Sequence, residues 1–309
     1  MATNEARYRE AERRLWASVG VAPTERRLPL EHLGLSVRVQ EVGDGPTVLF
    51  VHGATNSGSS WADLVKDLDG FRCVLLDRPG CGLSDPVPRP FTDVAALQAF
   101  ADVLIPDVLD ALGAARASVV ATSFGSWFSL RAAAAHPDRI DRMVLFSYPL
   151  GAPMPHAPMV MRLATLPVLA GLTASIPPTE RAVRMLLRQI GLRDALASGK
   201  FSRVHVDTFL ALLRDTDTMR NEVRAGPRVF TVRDGLHPEM LHTPALLAQV
   251  AAPTSFLWGR EDPMGGEAVA RPFVAQLPNA ELEMISGGHA VWIDQPERAA
   301  ALTTEFLSR

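Results

Sequence analysis

Residues 117–125, Ala-Ser-Val-Val-Ala-Thr-Ser-Phe-Gly, constrain the fold of this chain most. An apolar, β-branched run stops at Ser123, and Trp127, Phe128, Leu130 and Ala132 to Ala135 follow at helical spacing. A strand therefore enters a helix through a turn a few residues long, with a hydroxyl at its tip. The two backbones nearly touch in such a turn, so the positions two residues either side of the hydroxyl must be small. Ala121 and Gly125 meet that need. Such a junction can be purely architectural; chemistry requires a base and an acid carried to the same place.

The rest of the chain supplies a sheet for this strand. Alternating segments near 25–30 and 34–41 read as an edge hairpin. Continuous apolar runs at 47–51, 72–76 and 142–146 suit strands buried on both faces, with helices near 59–69 and 93–112 and after Ser123. This rhythm indicates βαβ units and a mainly parallel sheet. It stops near 150. From Gly151 to about 246 the pattern is helical, with only Arg228–Val232 ambiguous, and the sheet resumes with 254–258, a helix near 266–277, 282–285 and a final helix from Pro296. The expected division is a core of 1–150 and 247–309, with 1–24 as an N-terminal helical extension, and a helical cap of 151–246. In that extension Tyr8, Ala11, Leu15 and Val19 form an apolar stripe with Trp16 beside it, which reads as a helix strapped onto the core.

Composition narrows the partners. At 47% hydrophobic and 21% charged residues in 309, the chain has ample core. Its net charge of −3 gives no reason to expect nucleic acid or an anionic membrane. Among the basic residues only Lys66 and Lys200 are lysines, an arginine bias typical of a GC-rich bacterial genome. Cys73 and Cys81 are too far apart along an extended strand to bridge, so a reducing compartment is expected. With no apolar leader and no uncharged run of about 18 residues, the expected location is cytoplasmic, as a monomer or homodimer. No His, Cys or acidic spacing suggests a metal, and no cofactor is called for.

A hydroxyl becomes a nucleophile when a base takes its proton and a third group orients that base. The last strand ends in Ser286-Gly287-Gly288-His289, where two glycines let the backbone turn and present an imidazole. The strand before it ends in Gly259-Arg260-Glu261-Asp262, which offers two carboxylates at the same edge. His52, in a His-Gly pair, reads as a structural hydrogen-bonding residue, and Cys81 as a rival nucleophile lacks a base nearby.

The order Ser, acid, His, the Ala121-x-Ser123-x-Gly125 turn, His52-Gly53 and the loop Asp77-Arg78-Pro79-Gly80-Cys81-Gly82-Leu83-Ser84 resemble the α/β-hydrolase family. The family turn is usually written G-x-S-x-G, so Ala121 adds one methyl. The resemblance spans about 25–150 and 250–309. It implies a doubly wound, mainly parallel eight-stranded sheet with the cap inserted between strands 6 and 7, and a triad of Ser123, Asp262 and His289. Its G-x-x-D spacing selects Asp262 over Glu261. It assigns oxyanion donors to the backbone N–H groups of Ala54 and Phe124. Thr55 and Trp292 are the substrate-binding candidates, and metal and cofactor are none.

With Ser as nucleophile the expected activity is hydrolysis of a carboxylic ester, on a small to medium hydrophobic substrate. C–C bond hydrolysis or lactonase/perhydrolase chemistry on the same triad is the alternative. A hydrolase-like ligand receptor and a water-excluding cyclase or acyltransferase are the rivals of another class. Met154, Met159, Val160, Met161, Leu163, Leu166 and Leu169 are expected to pack the cap and partly roof the site, while Arg181, Arg184 and Arg188 share a helical face that could meet a carboxylate.

Overall fold

The computed structural model describes residues 3–155, 157, 162, 165–166 and 176–309. Eight strands form one sheet: β1 (Thr24–Leu30), β2 (Leu35–Val42), β3 (Thr47–Val51), β4 (Arg72–Leu76), β5 (Ala117–Thr122), β6 (Ile140–Phe146), β7 (Thr254–Gly259) and β8 (Ala280–Ile285). Their spatial order is β1-β2-β4-β3-β5-β6-β7-β8. The β1–β2 and β2–β4 pairs are antiparallel and the others parallel, as expected. Alternate residues of β3 face opposite cores: Leu49 and Val51 pack with helices α3 (Val94–Leu112) and α4 (Phe124–Ala135), while Val48 and Phe50 pack against Trp61 and the C-terminal helix. Both faces are thus covered, which is why these strands read as continuous apolar runs.

The N-terminal helix α1 (Glu5–Ser18) is capped by Asn4, whose side chain accepts from Arg7 N. Its buried stripe is Tyr8, Glu12, Leu15 and Trp16. Glu12 is a buried acid in a helix otherwise rich in exposed Arg and Glu. Arg38 of β2 donates to both its oxygens, at 3.0 and 2.6 Å, and Tyr8 Oη donates to Oε1 at 2.9 Å. The same guanidinium, 2% exposed, reaches Glu25 at 2.8 Å and Asp77 at 3.2 Å. Asp77 in turn accepts from Gly58 N and Leu83 N, so it braces the loop after β4.

Between β6 and β7 the described residues add no strand to the eight-stranded sheet. They form α5 (Glu180–Gln189), α6 (Arg193–Ser198), α7 (Arg203–Asp215) and α8 (Thr218–Val229). A two-residue ladder pairs Phe230–Thr231, within the ambiguous segment, with Gly235–Leu236 beyond it. Helix α1 lies on α7 as well as on the core: Thr208 Oγ1 donates to Ala11 O at 3.1 Å and Arg7 pairs with Asp215 at 3.2 Å. The strap therefore ties the insert to the sheet. Among the described residues no helix is long and apolar enough to cross a membrane, and no group of His, Cys, Asp and Glu could hold a metal ion.

His242 is buried against Trp127 and Phe273, and neither ring nitrogen has a hydrogen-bond partner. Burial, helped by Arg131, pushes its imidazole down to about 3. The unfolded chain then binds a proton below about pH 6.5 that the folded chain refuses until pH 3, so stability falls as pH drops through that window. His242→Phe should remove about 1.4 kcal/mol per pH unit from that slope between pH 6 and 4. Urea titrations across the range check this; an unchanged slope would show that His242 does not drive the acid loss.

Candidate active site

The parallel strands end together at one edge of the sheet, the usual position for sites in open α/β sheets. Ser123 follows β5 directly. Its φ is +52°, a region that non-glycine residues seldom occupy, and it stands just before α4. The turn is that tight because Gly125 packs on β3: a Cβ there would lie 2.1 Å from Val51 O and 2.7 Å from His52 O. Ala121 is fully buried in the core opposite Val51 and Leu145, so its extra methyl is filled space rather than a clash.

Asp262 follows β7 and His289 follows β8. Nδ1 of His289 lies 2.7 Å from Oδ2 of Asp262. That carboxylate is 5% exposed and held by two backbone donors, Tyr148 N at 2.9 Å and Met264 N at 3.0 Å. With Nδ1 turned to the acid, Nε2 is the nitrogen left for another partner. Glu261, the competing carboxylate, accepts from Gly287 N instead, and Asp294 accepts from Gly288 N at 2.8 Å. The two acids beside the triad candidate thus shape the glycine turn that presents His289.

Ser123 and His289 line one cavity of about 330 Å³, together with Gly53, Ala54, Thr55, Phe124 and Trp292. Every site residue read from the sequence therefore borders this cavity except Asp262, which sits behind His289. A Cβ on Gly53 would stand 3.1 Å from Ser123 Cβ, so the loop after β3 runs in contact with the serine.

His52 is fully buried, and its Nε2 accepts from Arg78 N at 3.0 Å. Burial, reinforced by the Arg78 charge, holds its imidazole well below the usual histidine range. The ring is neutral with its proton on Nδ1, which donates to Gly53 O at 2.7 Å. Arg78 adds two bonds from its side chain, Nε to His52 O and Nη2 to Gly53 O, both at 3.0 Å. Its guanidinium lies 5.0 Å from the centre of the Phe124 ring and pairs with Glu222 of α8 at 2.6 Å. Cys81 is a buried thiol raised well above its ordinary range by burial, and it donates to the same Glu222 oxygen at 3.2 Å. A protonated, hydrogen-bonded thiol is a poor rival nucleophile.

The sequence did not single out Glu222, and it places Arg78 only as part of a loop. No local pattern links them, since 144 residues separate the pair. Of the Met- and Leu-rich stretch, Met159, Val160, Met161, Leu163 and Leu169 lie outside the described residues, and Met154 and Leu166 do not line the cavity. Among the described residues much of the wall comes from Leu186 to Phe230, including Leu187, Phe209, Met219 and Val223, with Leu15 from α1. Arg181, Arg184 and Arg188 stay off the cavity, Arg184 pairing with Glu180.

A strand-end serine, a histidine backed by a buried carboxylate and an apolar cavity on an open α/β sheet define a hydrolase-type site. Comparison with known proteins agrees. The model of the α/β-hydrolase fold matches residues 46–173. A 2-hydroxy-6-oxononadienedioate/2-hydroxy-6-oxononatrienedioate hydrolase of Paraburkholderia phymatum is 26% identical over 284 residues, covering 89% of this chain and 92% of its own length. Among solved structures, the 2-hydroxy-6-oxo-6-phenylhexa-2,4-dienoate hydrolase of a Rhodococcus species superposes with a TM-score of 0.76 at 21% identity, over 93% of this chain and 99% of that one. A naproxen esterase of Bacillus subtilis gives 0.75 at 20% identity, over 97% of each chain. The chain has the α/β-hydrolase fold.

Proposed function

We propose that this chain is a serine hydrolase that cleaves carboxylic esters of small to medium, uncharged hydrophobic substrates through an acyl-enzyme on Ser123. His289 Nε2 takes the serine proton as Oγ attacks the carbonyl, Asp262 steadies the imidazolium, and the N–H groups of Ala54 and Phe124 receive the oxyanion. Phe124 opens α4, where the first N–H groups have no partner within the helix. His289 then protonates the leaving group and activates the water that frees the acid. The two free, buried thiols suit work in a reducing cytoplasm.

The observation that carries the substrate class is the cavity wall. Among the described residues no Lys or Arg lines it, and its one carboxylate, Glu222, is already engaged. Residues 156–175 hold no lysine and one arginine, Arg162, which donates to Val232 O and Arg233 O. Among the described residues a dicarboxylate would meet no lysine or arginine in this cavity, and its histidines, His205 and His289, already face Asp63 and Asp262. Each carboxylate would therefore enter at a cost of several kcal/mol. That sets the chain apart from relatives named for dienedioate substrates.

In a panel of p-nitrophenyl esters, neutral acyl groups of intermediate length should exceed the hemisuccinate and hemiadipate by at least about a hundredfold in kcat/KM. Equal or better turnover of the acidic esters would overturn the substrate assignment. C–C bond hydrolysis is the second reading, favoured by relatives that match along nearly the whole chain. Faster cleavage of 2-hydroxy-6-oxo-6-phenylhexa-2,4-dienoate than of any ester would establish it.

A further inference from the structure

The peptide joining Gly53 to Ala54 is held from one side by two groups. This peptide is trans, so the C=O of Gly53 and the N–H of Ala54 point in opposite directions across one rigid plane. His52 Nδ1 and Arg78 Nη2 both donate to that carbonyl, at 2.7 and 3.0 Å. Locking the oxygen from behind turns the N–H the other way, to the side on which Ala54 borders the cavity. A charged donor on the carbonyl also polarises the amide and makes its N–H a stronger donor.

Arg78 cannot hold this position alone. It is fully buried, and its charge is balanced by Glu222, which comes from the helix α8 of the insert and itself borders the cavity. Asn221, the neighbour of Glu222, donates to Gly80 O at 2.9 Å, and Thr218 Oγ1 accepts from Gly82 N at 2.9 Å. The start of α8 is thus clamped to the loop that carries Arg78.

We infer that Arg78 and Glu222 are positioning residues that couple the seating of α8 over the cavity to the aim of the Ala54 N–H at the oxyanion. This rests on the serine hydrolase reading above. It assigns to the insert a part in turnover beyond enclosing substrate: an α8 lifted from the core would leave the Arg78 charge uncompensated and the Gly53–Ala54 peptide free to rotate.

The test uses Glu222→Gln and Arg78→Lys in the full chain, with the best p-nitrophenyl ester and a trifluoromethyl ketone of matching shape. The ketone carbon bonds to Ser123 Oγ, its π electrons move to oxygen, and the serine proton passes to His289, so its affinity reports the oxyanion donors. Each variant should lose about ten- to a hundredfold in kcat with KM within about twofold. The ketone's inhibition constant should rise by the same factor, while inhibition by the matching methyl ketone stays unchanged. Arg78→Lys keeps the charge but cannot bridge two carbonyls, so it should resemble Glu222→Gln rather than wild type. A change in KM alone, or an unchanged trifluoromethyl ketone constant, would make Glu222 merely part of the wall and overturn the inference. Ser123→Ala separates the two proposals. If it is inactive while Glu222→Gln keeps full kcat, only the positioning role fails; if it retains turnover, the hydrolase reading fails with it.

Discussion

Ser123→Ala should lower kcat on a p-nitrophenyl ester by about 10⁴- to 10⁶-fold, with the folded structure and substrate affinity retained. The size of the effect follows from the division of labour at the site. His289 and Asp262 can still pair at 2.7 Å and the backbone donors remain in place, but no oxygen is left to form the acyl-enzyme. His289→Ala should cost nearly as much, and the double variant little more, because the two residues act as one unit. The substitution also relieves nothing in the backbone: alanine must adopt the same φ of +52°, so a large change in thermal stability would point to a structural effect. Steady-state assays and a melting curve on the same sample distinguish the two outcomes.

The second large effect concerns stability. Arg38→Leu should destabilise the fold by about 3–5 kcal/mol, because it leaves Glu12 and Asp77 buried without their shared counter-charge. For a chain of this size that is roughly 10 °C in Tm. The sign of its pH dependence identifies the cause. Burial already raises Asp77 above its ordinary range with Arg38 present. Without the arginine, the folded state should bind protons near neutrality that the unfolded chain releases. Acidification from pH 7 to 5 should then recover part of the lost stability. A loss that arises from packing alone would show no recovery. Because Glu12 lies on α1 and α1 packs on α7, the variant should also loosen the wall where Leu15 meets the cavity.

The parts of this molecule that show in the sequence are those encoded over short distances. A β-branched run broken by a serine, two glycines before a histidine and a G-x-x-D after a strand each describe one strand end and its turn. The parallel sheet brings such ends to one edge whatever lies between them. The N-terminal stripe is legible for the same reason, as a local helical period. What escapes is the pairing of distant polar residues. Glu12 looks like one more exposed acid in an Arg- and Glu-rich helix until β2 places Arg38 against it. Glu222 sits in a polar segment, Met219 to Arg224, and nothing local says that Arg78 waits beneath it. The cavity wall escapes for the same reason: it is set by which faces of α5, α7 and α8 turn toward the sheet, and no local pattern names them.

The central claim is that Ser123 carries the acyl group, and trapping that species tests it most directly. Wild-type protein mixed with a p-nitrophenyl ester and quenched in acid within the first turnovers should gain one acyl mass. Peptide mapping should place it on the segment containing Ser123, and the adduct should decay at the rate of steady-state turnover. Ser123→Ala should gain none. Turnover without any adduct, or an adduct on another residue that persists in Ser123→Ala, would contradict the account.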